Sequence, residues 1–250
     1  MANITRSWKR FLAVGCSHGH LADQRLLRGV LKFRDRWKPH KVIHLGDAID
    51  LACLREGAIH TADDALSPDA DLEAGLAFIE QLAPNVWHLG NHEARLVRLM
   101  EHPRAIVSGL AARIYSDIEL QAERLKCELV PYNFQNGWRT PLGSDAVTGH
   151  GYMVNEMALR DHAESICTGT QTKVIIAHLH RVSQHEGRRR DHPTGYCVGW
   201  LGDPSLAHYA ALRRATTSWS RGFAWGEYCE NETQVWLAKE LQNGTIRLPV

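Results

Sequence analysis

The sequence predicts an α/β fold in which strands and helices alternate through the first half. Three apolar runs, residues 11–14, 41–45 and 86–89, have the length and composition of buried strands, and each leads into a polar loop. The segments between them carry apolar residues at helical spacing. Strands that alternate with helices usually lie parallel in one sheet, so we expect a βαβ arrangement. Ligands of such sheets bind beyond the carboxyl ends of the strands, which makes the polar loops candidate sites.

The helices of the first half begin and end at recognisable signals. Apolar residues at helical spacing after the first strand predict a helix that ends near Trp37. Ser67 is a good N-cap, and Pro68 follows it at the first helical position, so a second helix is predicted from there. Residues 95–132 have a mainly helical pattern and no obvious chemistry.

The second half is predicted to add two buried strands and then a strand-rich end. The two strands are residues 146–148 and 174–176, with a helical segment at 157–166 between them. Three short strands follow, at 223–229, 234–241 and 245–248. Asn243 and Gly244 favour a type I′ turn between the last two. Since no repeat, low-complexity segment or linker interrupts the chain, we predict one domain over residues 1–250.

Composition favours an ordinary globular protein of a reducing compartment. Lysine and arginine number 29 against 28 aspartates and glutamates, so net charge gives no sign of a nucleic-acid or membrane partner. The six cysteines are scattered without a CxxC pair, which argues against a structural zinc module and against a disulfide framework. The N-terminus lacks an apolar leader, and no stretch approaches the roughly 20 apolar residues of a membrane span. We therefore expect a cytoplasmic protein without a membrane partner.

Five short motifs follow the predicted strands in a fixed order. They read Cys-Ser-His-Gly at 16–19, Gly-Asp-Ala-Ile-Asp at 46–50, Gly-Asn-His-Glu at 90–93, His-Gly at 150–151 and Ala-His-Leu-His at 177–180. Thiolate, imidazole, carboxylate and amide oxygen are ligands of divalent transition metals. Asp47 could bridge two cations with its two oxygens, and two metals about 3.5–4 Å apart can activate a water for attack on a phosphoryl group.

These motifs resemble those of the calcineurin-like metallophosphoesterase superfamily, whose pattern is D-x-H, G-D-x-x-D, G-N-H-E/D, H and G-H-x-H. The resemblance covers roughly residues 14–181 and implies a four-layer α/β/β/α sandwich. It also implies a phosphoesterase that hydrolyses a P–O ester bond with a metal-bridging hydroxide. The implied cofactors are two divalent transition-metal ions, namely zinc, iron or manganese.

The resemblance also implies a role for each matching residue. The implied ligands are Cys16, His18, Asp47 and His180 for the first metal, and Asp47, Asn91, His150 and His178 for the second. His92 matches the catalytic histidine that protonates the leaving oxygen or stabilises the transition state, and Asp50 matches the carboxylate that orients it. Asn91 and His92 would contact the substrate. For His20, contact with the substrate and simple solvation of a loop are both open.

Cys16 stands where the superfamily normally has aspartate. A thiolate favours zinc or iron over magnesium or calcium. Cysteine at this position is similar to the RNA lariat debranching enzymes, which cleave 2′–5′ phosphodiesters, so a phosphodiesterase is favoured. The rest looks more like bacterial and phage-type members, with residues 90–95, Arg181 and residues 219–223 as cues. The expected partner is a phosphate ester, with a nucleotide or nucleic acid as one form of it.

Several alternatives stay open. Cys16 could be a small buried apolar residue instead of a ligand. A catalytically silent scaffold that binds a protein partner would be expected to have lost ligands or His92, and a phosphomonoesterase would share the whole site. A nuclease would need a basic groove, which the near-neutral charge does not predict. His44 and His88 are interpreted as structural, and Glu93 and Arg95 as supports of the ligands. The sequence does not indicate an oligomeric state.

Overall fold

The computed structural model describes residues 7–207 and 218–248. The domain predicted over residues 1–250 therefore includes positions outside the described residues. The strands, in chain order, are β1 Lys9–Val14, β2 Lys41–Leu45, β3 Val86–His88, β4 Glu128–Val130, β5 Ala146–Thr148, β6 Lys173–Ile176, β7 Val182–Glu186, β8 Thr194–Val198, β9 Gly222–Tyr228 and β10 Thr233–Lys239. The helices are α1 Gln24–Trp37, α2 Pro68–Leu82, α3 Glu93–Leu99, α4 Ala105–Arg124 and α5 Ala158–Ile166.

The strands form two sheets that are parallel where the site lies. The larger sheet has the order β10-β9-β1-β2-β3-β4, and the smaller has the order β5-β6-β8-β7. Strands β1 to β4 are parallel, while β9 runs antiparallel to both β1 and β10. In the smaller sheet β5, β6 and β8 are parallel, and β7 is the antiparallel edge.

Alternate residues of the strands pack against different layers of the fold. In β1, Phe11 and Ala13 face the core between the two sheets, whereas Leu12 and Val14 pack with residues of α1. Helices α2 and α4 pack together in a further buried cluster with Trp87 of β3. Helix α5 packs with alternate residues of β6 on the smaller sheet. The predicted four-layer α/β/β/α arrangement is thereby confirmed.

The start of α2 agrees with its sequence signal, and α1 begins at a cap that was not predicted. The Ser67 hydroxyl accepts the Ala70 N–H at the start of α2, with Pro68 in the first turn. The carboxylate of Asp23 accepts the N–H groups of Arg25 and Leu26 and so caps α1. These bonds satisfy backbone donors that have no partner within the helix.

Four expectations about secondary structure were incomplete or wrong. The mainly helical segment predicted at 95–132 splits into α3 and α4 around Pro103 and then enters β4. Strands β7 and β8 were not predicted. The strand predicted at 245–248 is only an isolated bridge between Glu240 and Ile246. The turn is not type I′, because Gly244 has a φ of 75° whereas Asn243 is not among the residues of positive φ.

Among the described residues, none of the helices has both the length and the apolar character needed to cross a membrane.

Candidate metal centre

The carboxyl ends of five strands bring the five motifs to one place. Strands β1, β2 and β3 of the larger sheet and β5 and β6 of the smaller sheet each end at one motif. The predicted ligands Cys16, His18, Asp47, His150 and His180 are all buried there. Parallel strands end at the same edge of their sheet, and the two sheets face each other, so distant segments meet at one centre.

The site contains two groups of potential ligands that share Asp47. One ligand atom from each of Cys16, His18, Asp47 and His180 lies within 4.8 Å of the others in the first group. Asp47, His150 and His178 form the second group by the same measure. The amide oxygen of Asn91 lies 3.0 Å from Nε2 of His150, so it joins the second group. The structure therefore brings all seven predicted ligands together.

The hydrogen bonds of two histidines direct their Nε2 atoms into this centre. Nδ1 of His18 lies 2.8 Å from a carboxylate oxygen of Asp50, and Nδ1 of His150 lies 2.7 Å from the Leu45 carbonyl oxygen. Both oxygens accept, so each Nδ1 carries a hydrogen, and Nε2 is the nitrogen that faces the other donors of the centre. This arrangement is the usual way in which a metal-binding histidine is oriented.

The donor set fits a cation. Nε2 of His150 lies 3.1 Å from Oδ2 of Asp47, and Nδ1 of His178 lies 3.2 Å from the same nitrogen. Nδ1 of His178 and Nε2 of His180 are the nitrogens that face the other donors of the centre. The opposite nitrogen of each ring is buried without a hydrogen-bond partner in the described part of the chain. Burial and the neighbouring His150 lower the pKa of His178 to about 3, so this ring is neutral. Neutral imidazoles that converge on a carboxylate are suitable ligands for a divalent ion.

The pKa of the Cys16 thiol depends on its burial and on the charges beside it. Burial, and then the negative charge of Asp47, raise the pKa of Cys16 well above its usual range. A thiolate at this position therefore needs a compensating cation, since the protein surroundings alone favour the neutral thiol.

The backbone at these motifs is strained. Five of the seven predicted ligands have positive φ, with values of 52° at Cys16, 54° at His18, 53° at Asp47, 49° at His178 and 54° at His180. The left-handed conformation of a residue other than glycine costs on the order of 1–3 kcal/mol and persists only where its surroundings enforce it. Such strain is concentrated at functional sites.

The Glu93 side chain makes contacts that help to enforce this backbone conformation. Its buried carboxylate accepts the backbone N–H groups of Asp47 (3.1 Å), Ala48 (2.7 Å), Ile49 (3.1 Å) and Gly90 (2.7 Å). One side chain thus holds the loops after β2 and β3 against each other. Gly90 permits this approach, because a Cβ there would overlap the Asp47 carboxylate. The interpretation of Glu93 as a support agrees with these contacts.

Glu93→Gln is expected to destabilise the protein by about 1–3 kcal/mol, because an amide NH₂ would face backbone N–H groups that need an acceptor. Chemical denaturation of the variant and of Glu73→Gln, at an exposed position on α2, would measure the difference. Equal midpoints for Glu93→Gln and wild type would show that the four bonds do not hold the loops.

His92 lies at the opening of the centre. Its Nδ1 is 2.6 Å from the Asp50 carbonyl oxygen and 3.2 Å from an Asp50 carboxylate oxygen. The opposite nitrogen, Nε2, is 3.9 Å from Oδ2 of Asp47, and the side chain is 15% exposed. Burial lowers the pKa of His92, but the charges of Asp47 and Asp50 outweigh it and raise the pKa to about 9.

Asp50 therefore acts on two histidines. Its carboxylate contacts His92, as the sequence predicts, and also lies 2.8 Å from Nδ1 of His18. Burial raises its pKa, yet the hydrogen bonds from the two histidines hold the pKa far below its ordinary value. Arg95 donates to the Asp50 and Leu51 carbonyl oxygens, which fixes the loop that carries this carboxylate.

His20 lies beside the centre and belongs to none of these groups. Its Nδ1 is 2.8 Å from Oδ1 of Asp71, which also accepts the His20 backbone N–H. The hydrogen bond to Asp71 raises the pKa of His20. Asp71, a residue of α2, was not predicted, because an acidic residue in a first helical turn usually serves only the helix dipole. Contact between His20 and a substrate stays a prediction.

Other aromatic and histidine side chains support the centre. The Trp200 ring stacks on His180 at 5.3 Å between centroids, and Trp219 meets His180 edge-on at 4.3 Å. Burial lowers the pKa of both His44 and His88 to about 3, so these rings are neutral. His88 contacts the Thr148 hydroxyl and the Gly137 carbonyl oxygen, in agreement with a structural role.

Comparison with known proteins gives distant relatives. No family model matches the chain. The Gene 54 protein of Mycobacterium phage L5 is 24% identical over 240 residues, which cover 86% of this chain and 88% of the relative. A metallophosphoesterase from Sphaerobacter thermophilus is similar with a TM-score of 0.46 at 17% identity, over 88% of this chain and 84% of that chain. Yfce, a phosphoesterase from E. coli, has a TM-score of 0.44 at 12% identity, over 95% and 96%.

Proposed function

We propose that the chain is a metal-dependent phosphoesterase of the calcineurin-like metallophosphoesterase superfamily. The observation that carries this proposal is the pair of ligand groups sharing Asp47, with His92 at the opening beside them. The motif resemblance supports the same assignment. A catalytically silent scaffold is less favoured, because every predicted ligand position and His92 retain side chains that suit the reaction.

Two divalent ions would be held by the two groups. We assign Cys16, His18, Asp47 and His180 to the first ion and Asp47, Asn91, His150 and His178 to the second. When bound, the ions would supply an activated water and positive charge to stabilise the phosphoryl group in the transition state.

Residues of the chain itself would supply a proton to the leaving oxygen and would orient the side chain that donates it. His92 is the general acid of the proposed reaction, because its Nε2 faces the opening beside the shared carboxylate of Asp47. The Asp50 carbonyl oxygen accepts the Nδ1 hydrogen and fixes the plane of the ring. The Asn91 amide would bind the second ion and would also contact the substrate.

The finer proposal is a phosphodiesterase, supported by the cysteine at position 16. An aspartate-to-cysteine exchange alters metal preference directly, and its resemblance to the lariat debranching enzymes favours a diester. The direct test is a panel of esters with several metals, comparing bis-(p-nitrophenyl) phosphate with p-nitrophenyl phosphate, and 2′–5′ with 3′–5′ dinucleotides. About two metal ions per chain are expected by elemental analysis. Protein that stays metal-free and inactive after addition of zinc, iron or manganese would overturn the proposal.

Cys16→Asp is expected to shift metal preference from zinc or iron towards manganese, since a carboxylate is a harder ligand than a thiolate. Metal content after dialysis against equimolar mixtures would measure the shift. Cys16→Ser preserves the size of the side chain and is expected to weaken metal binding without a gain for manganese. If both variants retain wild-type content and preference, Cys16 is not a ligand.

A further inference from the structure

A side cavity of about 710 Å³ adjoins the candidate metal centre. It begins at Asn91 and extends along α3 past Val97 and Arg98 to Tyr132 and Asn133. Its volume lies within the roughly 300–1,000 Å³ of small-molecule sites. A substrate group attached to a phosphate at the centre would therefore find room next to Asn91.

The Tyr132 ring lines this cavity, and two further rings continue from it beyond the cavity wall. We name Tyr132, Phe134 and Tyr152 the aromatic ledge. Tyr132 meets the His150 ring edge-on at 5.7 Å between centroids. Phe134 lies 6.0 Å from Tyr132 and 4.7 Å from Tyr152. Phe134 is nevertheless 62% exposed. An isolated exposed ring needs no explanation, but one in a row of rings that starts at a ligand histidine offers a stacking surface.

Polar groups on the cavity wall complement the ledge. Ala94, Val97 and Arg98 share one face of α3, since they are three and four residues apart. Within the described ranges, no hydrogen bond or ion pair engages the Arg98 guanidinium, so its donors are available. Asn133 and Asn136 also line the cavity and are exposed. The Asn133 Oδ1 accepts the backbone N–H groups of Gln135 and Asn136, so its NH₂ is the group offered to a ligand. The cavity thus combines the Tyr132 ring, amide groups and the Arg98 cation, and the rest of the aromatic ledge adjoins it.

We propose that this cavity binds the nucleoside of a nucleotide phosphodiester, an inference that rests on the proposed phosphoesterase function. A planar base would stack on the aromatic ledge, and the amides of Asn133 and Asn136 would contact its edge or the sugar hydroxyls. Arg98 would attract an anionic oxygen of the substrate. A simple alkyl ester would leave the ring surface and the amides unused.

The reaction on such a substrate balances as a hydrolysis. The oxygen of a water forms a bond to phosphorus, and the P–O bond to the leaving alcohol or phenol breaks. His92 provides the proton of the leaving oxygen and recovers a proton from the one that the attacking water releases. A nucleoside monophosphate is the second product. No oxidant or further co-reactant is needed.

Two phosphodiesters that release the same leaving group test the proposal. Thymidine 5′-(p-nitrophenyl phosphate) and methyl p-nitrophenyl phosphate both release p-nitrophenol and differ in the nucleoside. In the wild type, kcat/KM is expected to be at least about tenfold higher for the nucleoside ester. Phe134→Ala is expected to lower this ratio about tenfold, because stacking of a base on an aromatic ring contributes about 1–3 kcal/mol. Ile106→Ala removes an apolar side chain that is 75% exposed and belongs neither to the cavity wall nor to the aromatic ledge, so it should preserve the ratio.

Binding of thymidine 5′-monophosphate by calorimetry separates this inference from the proposed function. If both diesters are hydrolysed but the ratio is the same in wild type and Phe134→Ala, the phosphoesterase stands and the nucleoside site is overturned. If neither diester is hydrolysed but the variant binds thymidine 5′-monophosphate about tenfold more weakly, the site stands and the proposed reaction fails. Equal binding by both proteins in that case overturns the site as well.

Discussion

Replacing His92 with alanine is expected to lower turnover of bis-(p-nitrophenyl) phosphate by about 10²–10⁴-fold, the range typical of a lost general acid. Metal content should stay close to that of the wild type, because His92 is placed outside both proposed ligand sets. The physical reason is the position of Nε2, which faces the opening 3.9 Å from Asp47 while Nδ1 is bound to the Asp50 carbonyl oxygen.

The matched control is His40→Ala. His40 is exposed and precedes β2, so it lies at the amino end of a strand whose carboxyl end carries the centre. Turnover and metal content of that variant should match the wild type. If His92→Ala retains full turnover, His92 has no catalytic role, and if it loses metal in proportion to activity, His92 supports the metal centre.

Asp47→Asn is expected to remove metal from both sites at once. Loss of a partner that only orients a ligand costs about 10–100-fold in metal affinity, and loss of a shared ligand should cost more. Asparagine is close to aspartate in size and retains an oxygen that can accept the backbone N–H of His92. This hydrogen bond is 3.0 Å long in the wild type. The variant therefore tests the charge and the bridging role with little change in packing.

Elemental analysis should show a fall from about two metal ions per chain to fewer than one, with phosphodiesterase activity lost in parallel. Asp145→Asn is a suitable control, because Asp145 is a buried carboxylate that pairs with Lys173 next to β5. A variant that loses only one of two metals would indicate that Asp47 does not bridge. Wild-type metal content in Asp47→Asn would remove it from the ligands.

The sequence was most informative where an apolar run led directly into a polar motif. Strand β2 was predicted with its observed bounds, as was β5, because a continuous apolar run between polar loops is typical of a parallel strand covered on both faces. The ligand positions followed from the same pattern. Carboxyl ends of parallel strands meet at one edge, so residues far apart in the chain could be expected at one centre.

Strands β7 and β8 gave no comparable signal. Strand β7 reads Val-Ser-Gln-His-Glu and is half-buried or exposed throughout, so no apolar alternation marks it. Strand β8 contains Gly195, where a Cβ would overlap the Leu159 backbone of α5. A glycine in a strand normally weakens the apolar pattern by which a strand is predicted. The close contact between β8 and α5 explains why glycine is suited to this position.

The identity and order of the donors at the strand ends follow from the amino-acid sequence alone, since they depend on local apolar runs and on residue chemistry. Which atom of each donor faces the centre depends instead on the tertiary structure. The Asp50 carboxylate serves His18 as well as His92, Glu93 gathers four backbone N–H groups, and Tyr132 packs against His150. These contacts depend on left-handed turns and on two sheets meeting face to face. Neither has a local sequence signal, because both arise from packing between segments that are distant in the chain.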